Sequence, residues 1–398
     1  MKVKGIYMYK PTISIYGKRN SGKSSILNAI TEQEISIVSS VKGTTTDPVK
    51  KTMEFNPVGP VVFIDTAGID DEGDLGILRT KKSLSTARRT NIALYIMDVM
   101  DIDKDYLNMM ELLFKKYNIP YILVINKIDM VNEDYIDKLK PKYPEAIFVS
   151  AIKMINIDNL KKELIKRIQD VEADPPIVGN LVPYDGKIVL VVPIDKQAPK
   201  GRLILPQVQV IRDCIDNGIK CYVLRDTELK SGLKDLDDID LVITDSQIFK
   251  EVDQIVPDDI KLTSFSILFA RYKGDLKKLV DGVKAIEKLN AQDNILIAEN
   301  CTHNTTHEDI GKVKIPTLLQ QKTGRKFNFH FKSGYDFSDN LEEYNLVIHC
   351  GGCMVNRKEM ESRIMLCNEK NIPITNYGVV LAYLNGILGR TLEIFEDN

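Results

Sequence analysis

The chain has 398 residues, with 54 basic residues against 56 acidic ones and a formal net charge of −2. This length predicts two or three domains, each with its own core, and the charge balance argues against nucleic acid as a partner. The N-terminus lacks the apolar stretch of a secretory signal, and no run approaches the roughly 20 apolar residues of a membrane span. We therefore expect a cytoplasmic protein that has no nucleic-acid or membrane partner.

A phosphate-binding loop is the first motif along the chain. The strand-like TISIY precedes GKRNSGKS, and helical sequence follows, which is the strand–loop–helix context of G-x-x-x-x-G-K-[ST]. Lys23 is expected to reach the outer phosphates and Ser24 to supply a hydroxyl to Mg²⁺. The residues predicted to bind the nucleotide in this loop are Gly17, Asn20, Ser21, Gly22, Lys23, Ser24 and Ser25.

The next motif is the end of an apolar strand, VVFIDTAG. It places Asp65 near the magnesium and the Gly68 amide near the terminal phosphate, although a strand followed by an ordinary turn would have the same sequence. Ile69 stands where Ras-like enzymes carry the glutamine that orients the attacking water. Because isoleucine cannot hydrogen-bond water, we expect slow intrinsic hydrolysis.

Two further strand ends predict the nucleotide base. YILVI leads into Asn126, Lys127 and Asp129, and IFV leads into Ser150 and Ala151. The Asp129 carboxylate accepts hydrogen bonds from N1–H and the exocyclic amine of guanine, which adenine does not offer. GTP is therefore the expected nucleotide.

Over residues 1–165 these four motifs resemble the translation-factor class of small GTPases, and in particular its Era-like and TrmE-like members. VKGTTTDPV, Val41 to Val49, is similar to their switch loop, which implies Thr44 or Thr45 as the magnesium threonine. Thr46 replaces their usual arginine. We take Lys23, Thr45 and Gly68 as the catalytic set.

Asn20 matches the asparagine by which potassium-activated relatives hold K⁺ against the phosphates. The resemblance thus implies K⁺ beside Mg²⁺, with the ion in the role of an arginine finger. A solvated loop residue is the alternative for Asn20.

The middle of the chain predicts a small α/β domain. The polar, proline-rich segment from Asp170 to Lys187 is typical of a linker, and strand-like and helix-like segments alternate after it. We interpret the apolar run Leu262 to Ala270 as a strand whose edge must be covered, which suggests self-association. Cys214 and Cys221 have apolar neighbours and are expected in the core.

Cysteine and histidine residues follow two predicted strands in the last part of the chain. His349, Cys350 and Cys353 follow one strand, and Cys301 and His303 follow the other. Ligands in open α/β sheets bind outside the carboxyl ends of strands, so the two groups are expected to converge. A [4Fe–4S] cluster and a Cys₃His zinc site fit these ligand types equally, whereas a redox CxxC leaves one cysteine unexplained. Three further residues have simpler interpretations, Cys367 in the core and His307 and His330 at the surface.

The order of motifs along the whole chain resembles that of the HydF family of [FeFe]-hydrogenase maturation GTPases, with a GTPase domain followed by C-x-H and later by H-C-x-x-C. The resemblance implies a [4Fe–4S] cluster on Cys301, Cys350 and Cys353, with His303 and His349 as matching histidines. It also implies a homodimer built by the middle domain. Its partners would be two radical-SAM maturases and the apo-[FeFe]-hydrogenase that receives a diiron precursor.

We therefore predict an α/β protein of three domains, a P-loop GTPase domain (1–170), a dimerisation domain (181–272) and an iron–sulfur cluster-binding domain (273–398). Two other functions are consistent with the motifs. One is an Era/TrmE-like regulator with structural zinc, and the other is a GTPase of tRNA modification, which the charge balance disfavours.

Overall fold

The computed structural model describes residues 10–31, 49–66, 84–171, 175–194, 201, 203–299, 310–334, 337, 340–352 and 355–396. The chain divides into two compact units, Met1–Asp174 and Pro175–Asn398.

A six-stranded sheet forms the centre of the first unit. Its strands are β1 (Thr12–Tyr16), β2 (Val49–Phe55), β3 (Gly59–Asp65), β4 (Ile92–Asp98), β5 (Tyr121–Asn126) and β6 (Ile147–Phe148). They lie in the order β2-β3-β1-β4-β5-β6, and every described pairing except β2–β3 is parallel. Ile13 lies beside Phe63 on one side and Ile92 on the other. The carboxyl ends of the central strands therefore share one edge of the sheet.

Four helices of the first unit have both ends within the described residues, and three of them bury an apolar face, whereas Glu133–Leu139 buries only Leu139. They are Lys23–Thr31, Lys104–Lys116, Glu133–Leu139 and Ile157–Asp170, with 3₁₀ turns at Ile128–Met130 and Lys140–Lys142. In the second of them, the Asp103 side chain accepts a hydrogen bond from the Tyr106 backbone N–H and caps the helix. Leu107, Met110 and Phe114 are buried, at the spacing of one helix face.

Two four-stranded parallel sheets form the second unit. Their strands are β7 (Lys187–Val191), β8 (Lys220–Leu224), β9 (Leu241–Thr244), β10 (Lys261–Ser264), β11 (Asn294–Glu299), β12 (Asn328–Ser333), β13 (Leu346–His349) and β14 (Ile374–Asn376). The orders are β10-β9-β7-β8 and β12-β11-β13-β14. In each sheet, the strand that comes first in the sequence lies between the second and the third. The strand order therefore reverses between β7 and β9 in one sheet and between β11 and β13 in the other. Such switch points are where open α/β sheets bind ligands.

One hydrophobic core spans both sheets of the second unit, and it includes Val189 of β7 and Ile297 of β11. The helices around it are Leu205–Asp216, Leu229–Asp235, Phe249–Asp253, Phe265–Lys273, Leu276–Lys284, Ile315–Thr323, Arg357–Glu369, Tyr377–Leu384 and Leu388–Leu392. Short turns are Asp226–Glu228, Ala285–Lys288, Ile310–Lys314, Leu341–Glu343 and Glu393–Phe395. Among the helices that the structure describes, none is both long enough and apolar enough to cross a bilayer.

The prediction of a long strand from Leu262 to Ala270 was wrong. Strand β10 ends at Ser264, whose hydroxyl accepts a hydrogen bond from the Ile267 backbone N–H at 3.3 Å and starts the helix Phe265–Lys273. Nearly the whole run is buried, and periodicity does not distinguish a buried strand from a buried helix. The argument for self-association from an exposed edge therefore fails.

The predicted linker is only partly correct. The helix of the first unit does end at Asp170, but Ile177 and Val178 are fully buried in the second unit. The Asp213 carboxylate accepts hydrogen bonds from the Val178 and Gly179 backbone N–H groups at 2.7 and 3.0 Å. Asp213 thus fixes a segment whose composition had suggested a mobile connection.

Candidate functional site

The phosphate loop is pressed against the ends of β4 and β5. A side chain at Gly17, where φ is +144°, would place its Cβ 2.2 Å from the Ile96 carbonyl oxygen. At Gly22, where φ is +91°, a Cβ would lie 2.2 Å from Nδ2 of Asn126. Only glycine fits these two positions, because both space and backbone conformation exclude a side chain.

Lys23 and Ser24 lie where the P-loop motif predicts. The Lys23 side chain is 5% exposed, and its Nζ donates to the carbonyl oxygens of Gly17 and Lys18 at 2.7 and 2.6 Å. Ser24 Oγ donates to Oδ2 of Asp65 at 2.8 Å. A hydroxyl and a carboxylate therefore meet at the loop, and such oxygens are the ligand type that Mg²⁺ prefers.

Asn126 links three of the motifs. Its Nδ2 donates to the Ser21 carbonyl oxygen at 3.1 Å, and its Oδ1 accepts from the Ala151 backbone N–H at 3.1 Å. The side chain is 2% exposed. Asn126 therefore holds the phosphate loop and the two base-recognition loops in one arrangement.

The base-recognition loop presents Asp129 to solvent. Lys127 has a left-handed backbone with φ of +66°, and its Nζ forms an ion pair with Oδ2 of Asp98 at 2.6 Å. Asp129 follows on an exposed 3₁₀ turn, while Ser150 is fully buried. Sequence reasoning missed Asp98, although it is the last residue of β4 and pairs in register with Asn126.

Other predicted nucleotide ligands occupy the outside of the loop or lie beyond the described residues. Asn20, with φ of +62°, and Ser25 are exposed. The predictions that fall outside the described residues concern Thr44, Thr45, Thr46, Gly68 and Ile69.

Cys350 lies at the switch point of the last sheet. It follows β13 directly, and its backbone N–H donates to the Ala298 carbonyl oxygen of β11 at 2.9 Å. Strand β11 ends at Glu299, two residues before Cys301 in the sequence. The Cys350 side chain is buried. The predictions for Cys301, His303, His307 and Cys353 fall outside the described residues.

His349 uses both ring nitrogens within the protein. Arg363 Nη1 lies 2.8 Å from Nε2, and because a guanidinium only donates, Nε2 accepts. The proton therefore resides on Nδ1, which donates to the Cys350 carbonyl oxygen at 2.5 Å. In this arrangement the imidazole supports the backbone of the cysteine loop, and it would have to leave Arg363 or Cys350 to bind a metal.

Arg363 is itself held from several sides. Its Nε pairs with Oε1 of Glu359 at 2.8 Å, and both side chains are 1% exposed. Its Nη2 donates to the Gly334 carbonyl oxygen at 3.1 Å, and the guanidinium lies 4.9 Å from the centroid of the Phe337 ring. The guanidinium is therefore buried and held by several contacts, although Oε2 of Glu359 has no hydrogen-bond partner among the described residues. These contacts fix His349 behind the loop.

A second buried cation reaches the other end of the cysteine loop. Lys273 is 1% exposed, and its Nζ donates to the Gly352 carbonyl oxygen at 2.5 Å and to that of Val355 at 3.3 Å. Gly352 has φ of +63°, a left-handed conformation that suits glycine.

The remaining cysteines are buried to different extents. Cys367 is fully buried, and burial raises the pKa of its thiol to about 12. Cys214 is also fully buried, but it hydrogen-bonds the half-buried Cys221, and this bond together with burial raises the Cys214 pKa. Sequence reasoning placed each cysteine in the core separately and missed the pair. Within the described residues, no three or more metal-binding side chains cluster together.

Comparison with known families accounts for almost all of the second unit. Residues 177–274 match the model of the hydrogen maturase F dimerization domain, and residues 277–394 match that of the hydrogen maturase F tetramerization domain. The chain belongs to the hydrogen maturase F family. Residues 12–127 match a GTPase family model described as 50S ribosome-binding GTPase. The predicted fold class, an α/β chain with a P-loop GTPase domain followed by two further domains, is confirmed, and so is the assignment as a GTPase.

Curated relatives of this chain are GTPases that match part of it. A tRNA modification GTPase MnmE of Orientia tsutsugamushi is 33% identical over 170 residues, 42% of this chain and 36% of the relative. A GTPase Der of Sulfurimonas denitrificans is 38% identical over 137 residues, 32% of this chain and 26% of the relative. The chain thus spans little more than a third of these proteins at most. A crystal structure of Aquifex aeolicus Era covers 55% of this chain and 94% of its own, at 21% identity and a TM-score of 0.34.

Proposed function

We propose that this chain is a GTP-hydrolysing scaffold that carries a [4Fe–4S] cluster and delivers a diiron precursor to apo-[FeFe]-hydrogenase. One observation carries the proposal: a GTPase domain is joined to two hydrogen maturase F domains, and the second of these has a buried cysteine, Cys350, at its switch point. We keep 1–170, 181–272 and 273–398 as the proposed domain boundaries.

For the nucleotide, Lys23 contacts the outer phosphates, and Ser24 and Asp65 are already within hydrogen-bond distance of each other where Mg²⁺ would bind. Thr45 and Gly68 complete the catalytic set, and Asp129 recognises guanine. Asn20 is the proposed K⁺ ligand, and its exposure on the loop leaves the side chain accessible to an ion.

For the cluster, the proposed ligands are Cys301, Cys350 and Cys353. The described part of the site fits anionic sulfur, because Cys350 is buried in the loop whose Gly352 carbonyl oxygen contacts the Lys273 ammonium. When bound, a cluster on three thiolates supplies one iron to which an exogenous ligand can bind and from which it can leave. His349 holds the loop behind the ligands, and His303 remains a candidate near them.

The family domains support self-association, and we propose a homodimer formed by the middle domain. Two radical-SAM maturases and the apo-hydrogenase are the proposed partners, with the diiron precursor as cargo. GTP hydrolysis would then control partner binding or release through loop ordering.

Separating the two activities tests the function. A Cys353→Ser protein should keep GTP turnover but fail to activate apo-hydrogenase after co-expression with the maturases. A Lys23→Ala protein should bind iron and sulfide but lose GTP turnover and activation. A Cys221→Ser control should retain both activities. If Cys353→Ser activates the hydrogenase like wild type, the scaffold proposal is wrong.

A further inference from the structure

A cleft lies between two helices of the second unit. One wall is a single face of the helix Arg357–Glu369, and the other is the end of the helix Phe265–Lys273 with the residues that follow it. Its volume is about 820 Å³, within the range of about 300–1,000 Å³ that small-molecule sites occupy. Of the described residues that line it, none is a proposed ligand of the nucleotide or of the cluster.

Two arginine side chains, Arg271 and Arg357, line the cleft together. Burial and the positive charge of Arg357 both lower the pKa of the Arg271 guanidinium. The two groups are therefore close enough to repel each other, and this repulsion is stronger where water is partly excluded. An anion placed between them would replace the repulsion with two attractions.

Both guanidinium groups keep donors without an acceptor among the described residues. No described carboxylate forms an ion pair with Arg271, which donates from Nη1 to the Ile177 carbonyl oxygen at 3.5 Å. The Asp213 carboxylate attracts Arg271 from further away and accepts from two backbone N–H groups. Arg357 pairs through Nε with Oε1 of Glu361 at 2.7 Å, but its buried Nη1 has no described hydrogen-bond partner. Because buried donors without acceptors are costly, the two arginines favour an added acceptor.

The middle of the cleft is apolar. Ile364 and Met365 line one wall, and Leu276 lines the other. The walls are close there, because a Cβ added at Gly274 would lie 3.0 Å from Cδ1 of Ile364. Arg357 and Ile364 lie on the same helix about two turns apart, a separation of roughly 10 Å along the axis. This length suits a short hydrocarbon chain better than a bare ion.

Carboxylates also line the cleft, and they leave the charge of Arg271 unbalanced. Glu361 pairs with Arg357, and Asp275 lies 3.8 Å from the ammonium of Lys278. Glu369 is at the opposite end of its helix from Arg357, about 18 Å away along the axis. The arginine end of the cleft therefore has about one positive charge in excess. A carboxylate matches that charge, whereas a phosphate monoester carries nearly two negative charges at neutral pH.

We propose that this cleft binds a small organic anion, whose carboxylate bridges the guanidinium groups of Arg271 and Arg357 and whose apolar chain lies along Leu276 and Ile364. The planar carboxylate fits the donor fork of a guanidinium. Arg271 belongs to the segment matched by the dimerization model and Arg357 to the segment matched by the tetramerization model. The ligand thus joins the two segments, and its binding does not depend on the proposed cluster.

Hexanoate is the probe for this site. The full-length protein is first saturated with Mg·GDP to fill the phosphate loop, and saturation-transfer NMR of the ligand signals measures the dissociation constant. Hexanoate should bind at least about tenfold more tightly than acetate, because its additional methylene groups contact the apolar middle of the cleft. Hexylammonium, a cation with the same chain, should not compete. Failure of hexanoate to bind would overturn the site. Acetate or inorganic phosphate that binds as tightly as hexanoate would overturn the ligand class.

Replacing Arg271 separates a ligand contact from a structural one. Arg271→Met can still pack on the Phe395 ring, which lies 5.6 Å from the guanidinium carbon, but it should bind hexanoate at least about tenfold more weakly. Arg271→Lys keeps the charge without the fork and should have an intermediate affinity. Arg212→Met removes the arginine of an exposed ion pair outside the cleft and should bind like wild type. Wild-type affinity in Arg271→Met would overturn the proposal.

Thermal unfolding supplies a readout that a purely structural role would not change in the same way. Hexanoate should raise the Tm of the wild type and leave that of Arg271→Met unchanged, because only the wild type gains stability from binding. Without ligand, Arg271→Met should unfold no earlier than wild type, since it relieves the repulsion from Arg357. If Arg271→Met does not fold, Arg357→Met makes the same test from the other side. An equal hexanoate effect on the Tm of wild type and variant would overturn the proposal.

Discussion

The side-chain amide of Asn126 donates to the backbone carbonyl of Ser21 across a separation of 105 residues in sequence, at 3.1 Å. The bond joins the end of β5 to the phosphate loop, and the same side chain accepts from Ala151. Asn126 is buried, so one asparagine side chain holds the loops of Ser21 and Ala151 together.

Replacing Asn126 by Ala should therefore impair both stability and nucleotide binding. Two net hydrogen bonds of about 1 kcal/mol each predict a loss of about 2 kcal/mol in the free energy of unfolding, measured by urea denaturation with circular dichroism. GTP affinity should fall at least about tenfold because two loops lose their common partner. Asn108→Ala, at an exposed helix position, should change neither quantity. Wild-type affinity in Asn126→Ala would refute the linking role.

Replacing Asp129 by Asn should move the base preference from guanine to xanthine, because the donor and acceptor pattern of the side chain is exchanged. Competition binding of GTP and XTP measures the change, and we expect at least about a hundredfold loss for GTP. Asp134→Asn removes a nearby exposed carboxylate and should keep GTP preference. Unaltered selectivity in Asp129→Asn would place base recognition elsewhere.

GTP turnover should be faster in potassium than in sodium at equal ionic strength if Asn20 holds K⁺. Asn20→Gly should abolish the difference, since glycine adopts φ of +62° without strain but lacks the side-chain oxygen. Asn118→Gly makes the same exchange at another left-handed position and should retain the potassium effect. Equal wild-type turnover in both salts would remove the K⁺ site.

Removing Arg363 should destabilise the second unit because Glu359 would be left buried and unpaired. We expect a loss of about 3 kcal/mol in the free energy of unfolding for Arg363→Met. The pair Arg357–Glu361 has the same i,i+4 spacing on the same helix, with side chains 30% and 43% exposed. Arg357→Met should therefore cost below about 1 kcal/mol. Similar costs in urea denaturation for both variants would contradict the argument from burial.

Iron and sulfide analysis after reconstitution should distinguish the cysteines that bind the cluster from those that do not. Replacing Cys301, Cys350 or Cys353 by serine should lower the cluster content in each case. Cys221→Ser should leave the cluster content unchanged, because the Cys221 side chain hydrogen-bonds Cys214. Full content in Cys301→Ser would break the three-thiolate model. Stoichiometric zinc without iron in wild type would favour the zinc-stabilised regulator.

Local sequence was sufficient to predict features whose backbone conformation is determined within one short segment. Gly17 and Gly22 have backbone conformations that suit glycine, so the phosphate loop is readable from contiguous residues. The segment DLKKLVDGVKAIEKL has a helical pattern and KFNFHF a strand-like one, and the structure has the helix Leu276–Lys284 and the strand Asn328–Ser333 there. The HydF resemblance was likewise confirmed, because residues 177–274 and 277–394 match the two hydrogen maturase F domain models.

Tertiary structure decided the features that depend on which distant residues meet. The run after Ser264 is apolar, so its pattern alone does not distinguish a strand from the helix that packs against neighbouring helices in the structure. Likewise, Lys273 and Gly352 are 79 residues apart in sequence, and the contact between Arg363 and the His349 ring is visible only in the structure. A short motif determines the conformation of its own backbone. The contacts of a buried cation or of a hydrogen-bonded imidazole, in contrast, depend on the topology that brings distant segments together.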